Sequence, residues 1–239
     1  MLKAAESLLQ KSPDSDISTR AVCEAVGVGA PMLYRLFGDK NGLIAAVVDN
    51  VFERYVARKR AEPLSDDPVV DLYRAWDSHV AFALKNPAVY RMAYAPSLVE
   101  VPAGVGEARQ ALIERFVRCA AAGRLNTAPV QAAQAMMAAC VGLNLCLLTQ
   151  PDTYSDPDLS SRVRDAVLGG LLIDTGSRAR DPKTKTIKAI ALQMAALIRQ
   201  TPTTLTEPEV SLMLQWLETI SATTGAGTAS PPSGRRTRR

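Results

Sequence analysis

Apolar residues in this chain recur three and four positions apart, and no stretch sustains a two-residue alternation. Leu2, Ala5, Leu8 and Leu9 share one helical face, as do Leu43, Ile44, Val47, Val48, Val51 and Tyr55. That period admits helices and leaves little for strands. Apolar residues make up 47% of the chain, but aromatic ones only 5%, so the core must be built mostly from Ala, Leu and Val. The expectation is an all-α protein of 239 residues, long enough for one large domain or two modest ones.

Punctuation divides the pattern. A first helix over about residues 1–10 ends at the turn cluster Lys11-Ser12-Pro13-Asp14-Ser15-Asp16. Ser18 suits the cap of a second, short helix with Val22, Ala25 and Val26 inward, and Gly27 suits its end. Pro31 fits the first turn of a third helix, which Leu33 and Phe37 anchor and Gly38 stops. Asp39 can cap a fourth helix from about Lys40 to Ala61. Asp67-Pro68 opens a fifth to about Lys85, and Pro87 a sixth through Tyr94. Pro96 to Gly106 reads as a loop, and Glu107 to Ala122 as helix. Thr127 is expected to cap a long helix to about Thr149, with another over 157–175. Asp181-Pro182 and Thr206-Glu207 open two last helices. Residues 225–239, GAGTASPPSGRRTRR, cannot bury surface and read as a disordered basic tail.

Two short helices joined by a tight Gly-containing turn and braced by a first make a helix-turn-helix unit. If Leu33 and Phe37 pin the third helix, its other flank is free to enter a major groove. The residues then resemble the TetR family of regulators. Its pattern of an Ala-Ala helix, a capping hydroxyl, an apolar run to Ala-Gly-Val, then Leu-Tyr-x-x-Phe and a lysine is met in order. The matching stretches are Ala4-Ala5, Ser18, Val22-Cys23-Glu24-Ala25-Val26-Gly27-Val28, Leu33-Tyr34-Arg35-Leu36-Phe37 and Asp39-Lys40-Asn41-Gly42-Leu43. The resemblance implies a helix-turn-helix DNA-binding domain over 1–46 and a ligand-binding and dimerisation domain over 47–224. It implies a cytoplasmic one-component regulator, a ligand-responsive repressor binding a palindromic operator as a homodimer. Residues expected at double-stranded DNA are Ser18, Thr19, Arg20, Gly29, Ala30, Pro31, Met32, Tyr34, Arg35 and Lys40. The family often has Ser, Lys and Thr where this chain has Gly29, Ala30 and Met32, so the third helix is poor in hydrogen-bonding groups. Ala30, Pro31 and Met32 can still touch thymine methyls. The alternative is a helical protein-interaction module whose reading head no longer binds DNA.

In the back of the chain, the stretch 127–149 carries Met136, Met137, Cys140, Val141, Leu143, Leu145, Leu147 and Leu148 around most of its circumference. Gly142 on it, and Gly169-Gly170 on the next helix, would permit close approach, so 127–149 and 157–175 are expected to form a homodimer interface. Polar and aromatic groups set in apolar stretches mark a pocket for an apolar or amphipathic effector: Tyr73, Trp76, His79, Phe82, Tyr90, Tyr94, Met137, Cys140 and Asn144. Taken singly, His79 and Asn144 read first as hydrogen-bonded core or surface residues.

Other classes find little support. His79 is the sole histidine, and Cys23, Cys119, Cys140 and Cys146 form no C-x-x-C pair, so no metal site and no cofactor is expected. Dinucleotide, phosphate-loop and nucleophile-elbow motifs are absent, which argues against an enzyme. No signal peptide opens the chain, no uninterrupted apolar run reaches membrane-spanning length, and no membrane partner is expected. The net charge of +4 comes from Arg235, Arg236, Arg238 and Arg239; without them 24 basic residues face 24 acidic ones. The first fifty residues hold five basic groups (Lys3, Lys11, Arg20, Arg35, Lys40) against six acids (Glu6, Asp14, Asp16, Glu24, Asp39, Asp49), so any DNA footprint must come from placement.

Overall fold

Each helix at the front of the chain ends where a local signal ends it. A computed structural model describes residues 1–12, 16–94, 102–173, 187–200 and 204–222. The helix α1 (Leu2–Lys11) buries Ala5 and Leu9. In α2 (Thr19–Val26), the Ser18 side chain accepts from the Ala21 N–H. Gly27 then closes α2 in a left-handed conformation, φ 67°, with Val28 N–H bonded to the Cys23 carbonyl and Gly27 N–H to that of Glu24. Three residues on, α3 (Ala30–Phe37) begins with Pro31 in its first turn and stops at Gly38, φ 76°. The α2 face departs from expectation: Val22 and Cys23 are buried, whereas Ala25 is exposed.

The long α4 (Lys40–Ala61) starts at Asp39, whose carboxylate accepts from Gly42 N–H at 2.7 Å. A methyl group on Gly42 would sit 1.9 Å from the Phe37 carbonyl oxygen, so glycine is what lets α4 start against the end of α3. One apolar cluster runs unbroken from Ala5, Leu9, Val22 and Leu33 through Leu43, Val47, Phe52 and Val56 of α4 to Phe82 and Tyr90. The expected boundary at 46/47 thus falls inside α4 and inside this core. Helices α5 (Pro68–Lys85) and α6 (Pro87–Ala93) follow, α5 capped by Asp67.

Helix α7 (Ala103–Ala121) begins four residues before the expected Glu107. The reason is tertiary: Asp49 of α4 accepts the Gly104 N–H at 3.0 Å, supplying a cap from 55 positions away. Gly104 also allows close packing, since a methyl there would lie 2.7 Å from Phe52 Cβ. Helix α8 (Pro129–Thr149) is capped by Ala128 rather than Thr127, whose hydroxyl bonds Gln131 instead. Helix α9 (Leu159–Leu171) is shorter than the expected 157–175. A second cluster joins Leu72 and Trp76 of α5, Phe116 of α7, Met136 and Cys140 of α8 and Leu168 of α9. By length and mean hydropathy α8 could cross a bilayer, but its Ala132, Met136, Cys140, Leu143 and Asn144 are buried among helices of the protein.

Helix α10 (Ile187–Gln200) lays Ala191, Leu192, Ala195 and Ala196 inward and packs on α7 and on α11 (Glu207–Ala222). The expected opening at Asp181-Pro182 and the tail 225–239 lie outside the described residues.

Candidate DNA interface and ligand cavity

The third helix turns one side inward. Leu33 is fully buried and Phe37 half-buried, while Ala30, Pro31, Met32, Tyr34 and Arg35 are all exposed, with Tyr34 at 48%. Leu36, not among the residues expected at DNA, is 57% exposed on the same helix. The Arg35 guanidinium lies 3.0 Å from the Met32 sulfur, so the one long cation of α3 and its thioether share a patch. Thr19 is half-buried, Ser18 is occupied as the α2 cap, and Gly29 precedes α3 in an extended conformation.

Placement resolves the unfavourable charge count. Asp39 caps α4, Asp49 caps α7, and Glu6 is bridged by Arg54 at 2.6 Å. Three of the six acids are therefore committed to structure. Glu24 pairs with Arg20 at 2.8 Å along α2. Among the described residues, Arg35 has no carboxylate partner. Lys40 reaches Asp16 at 2.6 Å; this pair holds the Asp16 carboxyl below its usual range, with the Ile17 N–H adding to the effect. Both side chains remain solvated, so a phosphate could take the place of Asp16 at little cost.

Behind the head, a cavity of about 40 Å³ lies between α4, α5, α7 and α8. Tyr55, Val56 and Lys59 form one wall, Trp76 and His79 a second, Ala108, Ala111, Leu112 and Arg115 a third, and Met136, Met137 and Cys140 the fourth. Of the residues expected at a ligand, Trp76, His79, Met137 and Cys140 are here. Tyr73, Phe82, Tyr90, Tyr94 and Asn144 are not among its walls. Tyr73 carries the Arg164 guanidinium 4.8 Å over its ring, and Phe82 packs 4.4 Å from the Tyr55 ring. Tyr90 sits between His79 Nε2 and the Asn144 amide, at 3.0 Å from each, and 4.9 Å ring to ring from Tyr94.

That network is electrically neutral. Burial, with the Lys59 charge nearby, pushes the His79 pKa down to about 4, so the ring is uncharged at neutral pH. Burial raises the Tyr55 phenol and the Cys140 thiol to about 12 each, and Tyr90 and Tyr94 move in the same direction. Asn144 Oδ1 is buried with no hydrogen-bond partner among the described residues. The walls from α4 and α7 were missed in the sequence because they carry ordinary alanines and charged residues; only packing brings them together.

A helix-turn-helix unit with one exposed flank on an all-helical body is the layout of DNA-binding transcription regulators. The family model of bacterial regulatory proteins of the TetR family matches residues 1–47, the helices α1 to α3 and the start of α4. Comparison with curated proteins finds no match. Among solved structures, one assigned to the TetR family of transcription regulators, from Shewanella sp. PV-4, superposes with a TM-score of 0.56 at 16% identity, covering 72% of this chain and 96% of that one. A Rhodococcus sp. RHA1 protein of unknown function gives 0.59 at 20% identity, covering 72% and 93%. NalD, the secondary repressor of the MexAB-OprM multidrug efflux pump in Pseudomonas aeruginosa, gives 0.50 at 23% identity, covering 73% and 95%. At these identities the likeness is one of fold.

Proposed function

We propose that this regulator is a ligand-responsive repressor that acts in the cytoplasm, binding a palindromic operator as a homodimer. The observation that carries the reading is the continuity of α4: one unbroken helix of 22 residues has Lys40 at its start and Lys59 at the cavity wall. A helix of that length spans about 33 Å and moves as a rod. A ligand that enlarges the cavity bears on Met136 and Met137 of α8 and, across from them, on Tyr55, Val56 and Lys59; a push on this α4 wall reaches Asp39 and Lys40, where α3 is held. The head moves relative to its partner's head, and the pair no longer fits two half-sites.

In this reading Met32 and Arg35 read base edges, with Ala30 and Pro31 against thymine methyls. Ser18, Thr19, Arg20, Gly29, Tyr34 and Lys40 follow the phosphates. The division into a reading domain over 1–46 and an effector and dimerisation domain over 47–224 is functional; the core itself is continuous. NalD, similar in fold, is a repressor, which supports the sign of control assigned here.

DNA selected from a random pool should contain an inverted repeat with half-sites about one helical turn apart or a multiple of it. On that operator, Lys40→Ala should weaken binding and reduce the slope of log affinity against log salt by roughly one. Selected sites without a repeat would defeat the homodimeric reading, and an unchanged slope would remove Lys40 from the phosphate contacts.

A further inference from the structure

The cavity has a charged mouth. A groove lined by Lys59, Glu62, Pro63, Leu64, Asp71, Arg74 and Arg115 adjoins it, and Lys59 and Arg115 belong to both. The two acids there are engaged. Asp71 is buried, accepts the Ser65 N–H at 3.0 Å and is bonded by Arg118, with Arg74 at 3.6 Å. Glu62 holds Lys59 at 2.9 Å, and Lys59 is itself only 6% exposed. Arg115 differs: its guanidinium donates to the Ala111 carbonyl at 3.1 Å and meets no carboxylate among the described residues. A half-buried arginine at a cavity mouth with its planar donors unspent is a ready site for an anion.

Resting on the ligand-responsive reading above, we propose that the effector is an amphipathic carboxylate. Its apolar chain enters between Trp76, Met136, Met137 and Cys140, and its head lies at the mouth between Arg115 and Lys59. The interior suits a chain because most of its lining is apolar and the His79 ring on its wall is already bonded to Tyr90 behind it. At about 40 Å³ the cavity holds a few waters at most, so the chain makes its own room, and unbranched Met136 and Met137 are the side chains best able to swing aside. The mouth suits a single negative charge. Lys59 already meets a carboxylate oxygen from Glu62, which the head can replace like for like. Glu62 and Asp71 nearby oppose a doubly charged head, and Arg115 opposes an amine.

Isothermal titration of the full chain with decanoate, decanol, decylamine and acetate tests this. Decanoate should bind about tenfold or more tightly than decanol, the worth of one charge-assisted hydrogen bond. Decylamine and acetate should bind far more weakly. Arg115→Gln should bring decanoate down to the level of decanol and leave decanol within about twofold. Decanol or decylamine binding as tightly as decanoate in the unaltered protein, or decanoate not binding at all, overturns the proposal without recourse to a variant. So does a decanoate preference that survives Arg115→Gln. Operator release is read in parallel. Decanoate that binds through Arg115 while the operator stays bound upholds the anion site and defeats the ligand-responsive reading. A neutral ligand that releases the operator while decanoate fails to bind overturns the anion site and leaves that reading standing.

Discussion

His79 shows how one side chain can set the pH range in which this fold is stable. In the unfolded chain its imidazole takes up a proton near pH 6.5; in the fold, burial pushes that down to about 4. Between those values the unfolded state binds the proton and the native state does not, so stability rises with pH. The contribution is complete above pH 6.5, falls as pH drops toward 4, and is lost below it. Its full size is about 3 kcal/mol, and about 2 kcal/mol is already gone at pH 5. Urea unfolding at pH 7 and pH 5 checks this against His79→Gln, which cannot titrate. The variant should be less stable at pH 7, since Tyr90 loses its bond to the imidazole and keeps only that to Asn144, yet should lose less stability on going to pH 5. Equal losses in both proteins would place the pH dependence in the carboxylates. Tyr90 and His79 drew attention in the sequence as candidate ligand contacts. Their residue types were informative, because a polar group in an apolar stretch must find a partner. What the types could not tell is whether that partner is a ligand or, as here, each other.

At the scale of elements, the legible parts were those whose cause is local. Ser18, Gly27, Gly38, Asp39 and Asp67 act on backbone within a few positions, and each stands at a helix boundary as expected. The start of α7 was not legible, because its cap comes from Asp49 on α4. The cavity walls were hidden for the same reason: Tyr55, Lys59, Ala108 and Arg115 have nothing in their own neighbourhoods that marks them as lining a site. Two glycines on α7 separate the local from the tertiary effect. At Gly104 an added methyl collides with Phe52 Cβ at 2.7 Å and crowds the Asp49 carbonyl at 3.1 Å, whereas at Gly106 it meets nothing within 4 Å. Gly106→Ala should therefore stabilise the protein by about 0.5–1 kcal/mol through helix propensity alone. Gly104→Ala should destabilise it by about 1–3 kcal/mol, since α4 and α7 must separate against packed backbone. Denaturant midpoints of the two variants give the comparison. If both move the same way, the close approach of α4 and α7 is not what holds Gly104.

At the scale of the whole molecule, the proposed homodimer requires a surface that a second copy can cover. Along the middle of α8 the exposed residues Ala135, Ala138 and Gly142 are small, and α9 exposes Ala166, Gly169 and Gly170. A methyl on Gly142, Gly169 or Gly170 would meet nothing within 4 Å in the protomer, so no contact inside one chain accounts for the missing side chains. Two helices with such stripes can pack closely against their symmetry mates. The competing surface is on α10 and α11, where Ile190, Met194, Leu212 and Trp216 are exposed, Trp216 at 60%. Gly142→Arg decides. The site is open within the protomer and interior to a helix, so thermal stability of the isolated chain should hold or rise slightly. Across an α8–α9 interface the same side chain would bury a guanidinium against its own copy and split the pair. Light scattering should then report a mass of 25.6 kDa in place of twice that value. Operator affinity should fall roughly a hundredfold or more, as each head loses the other's effective concentration. A variant that keeps the double mass and full affinity would move the interface to α10 and α11, where Trp216→Lys becomes the substitution expected to separate the protomers.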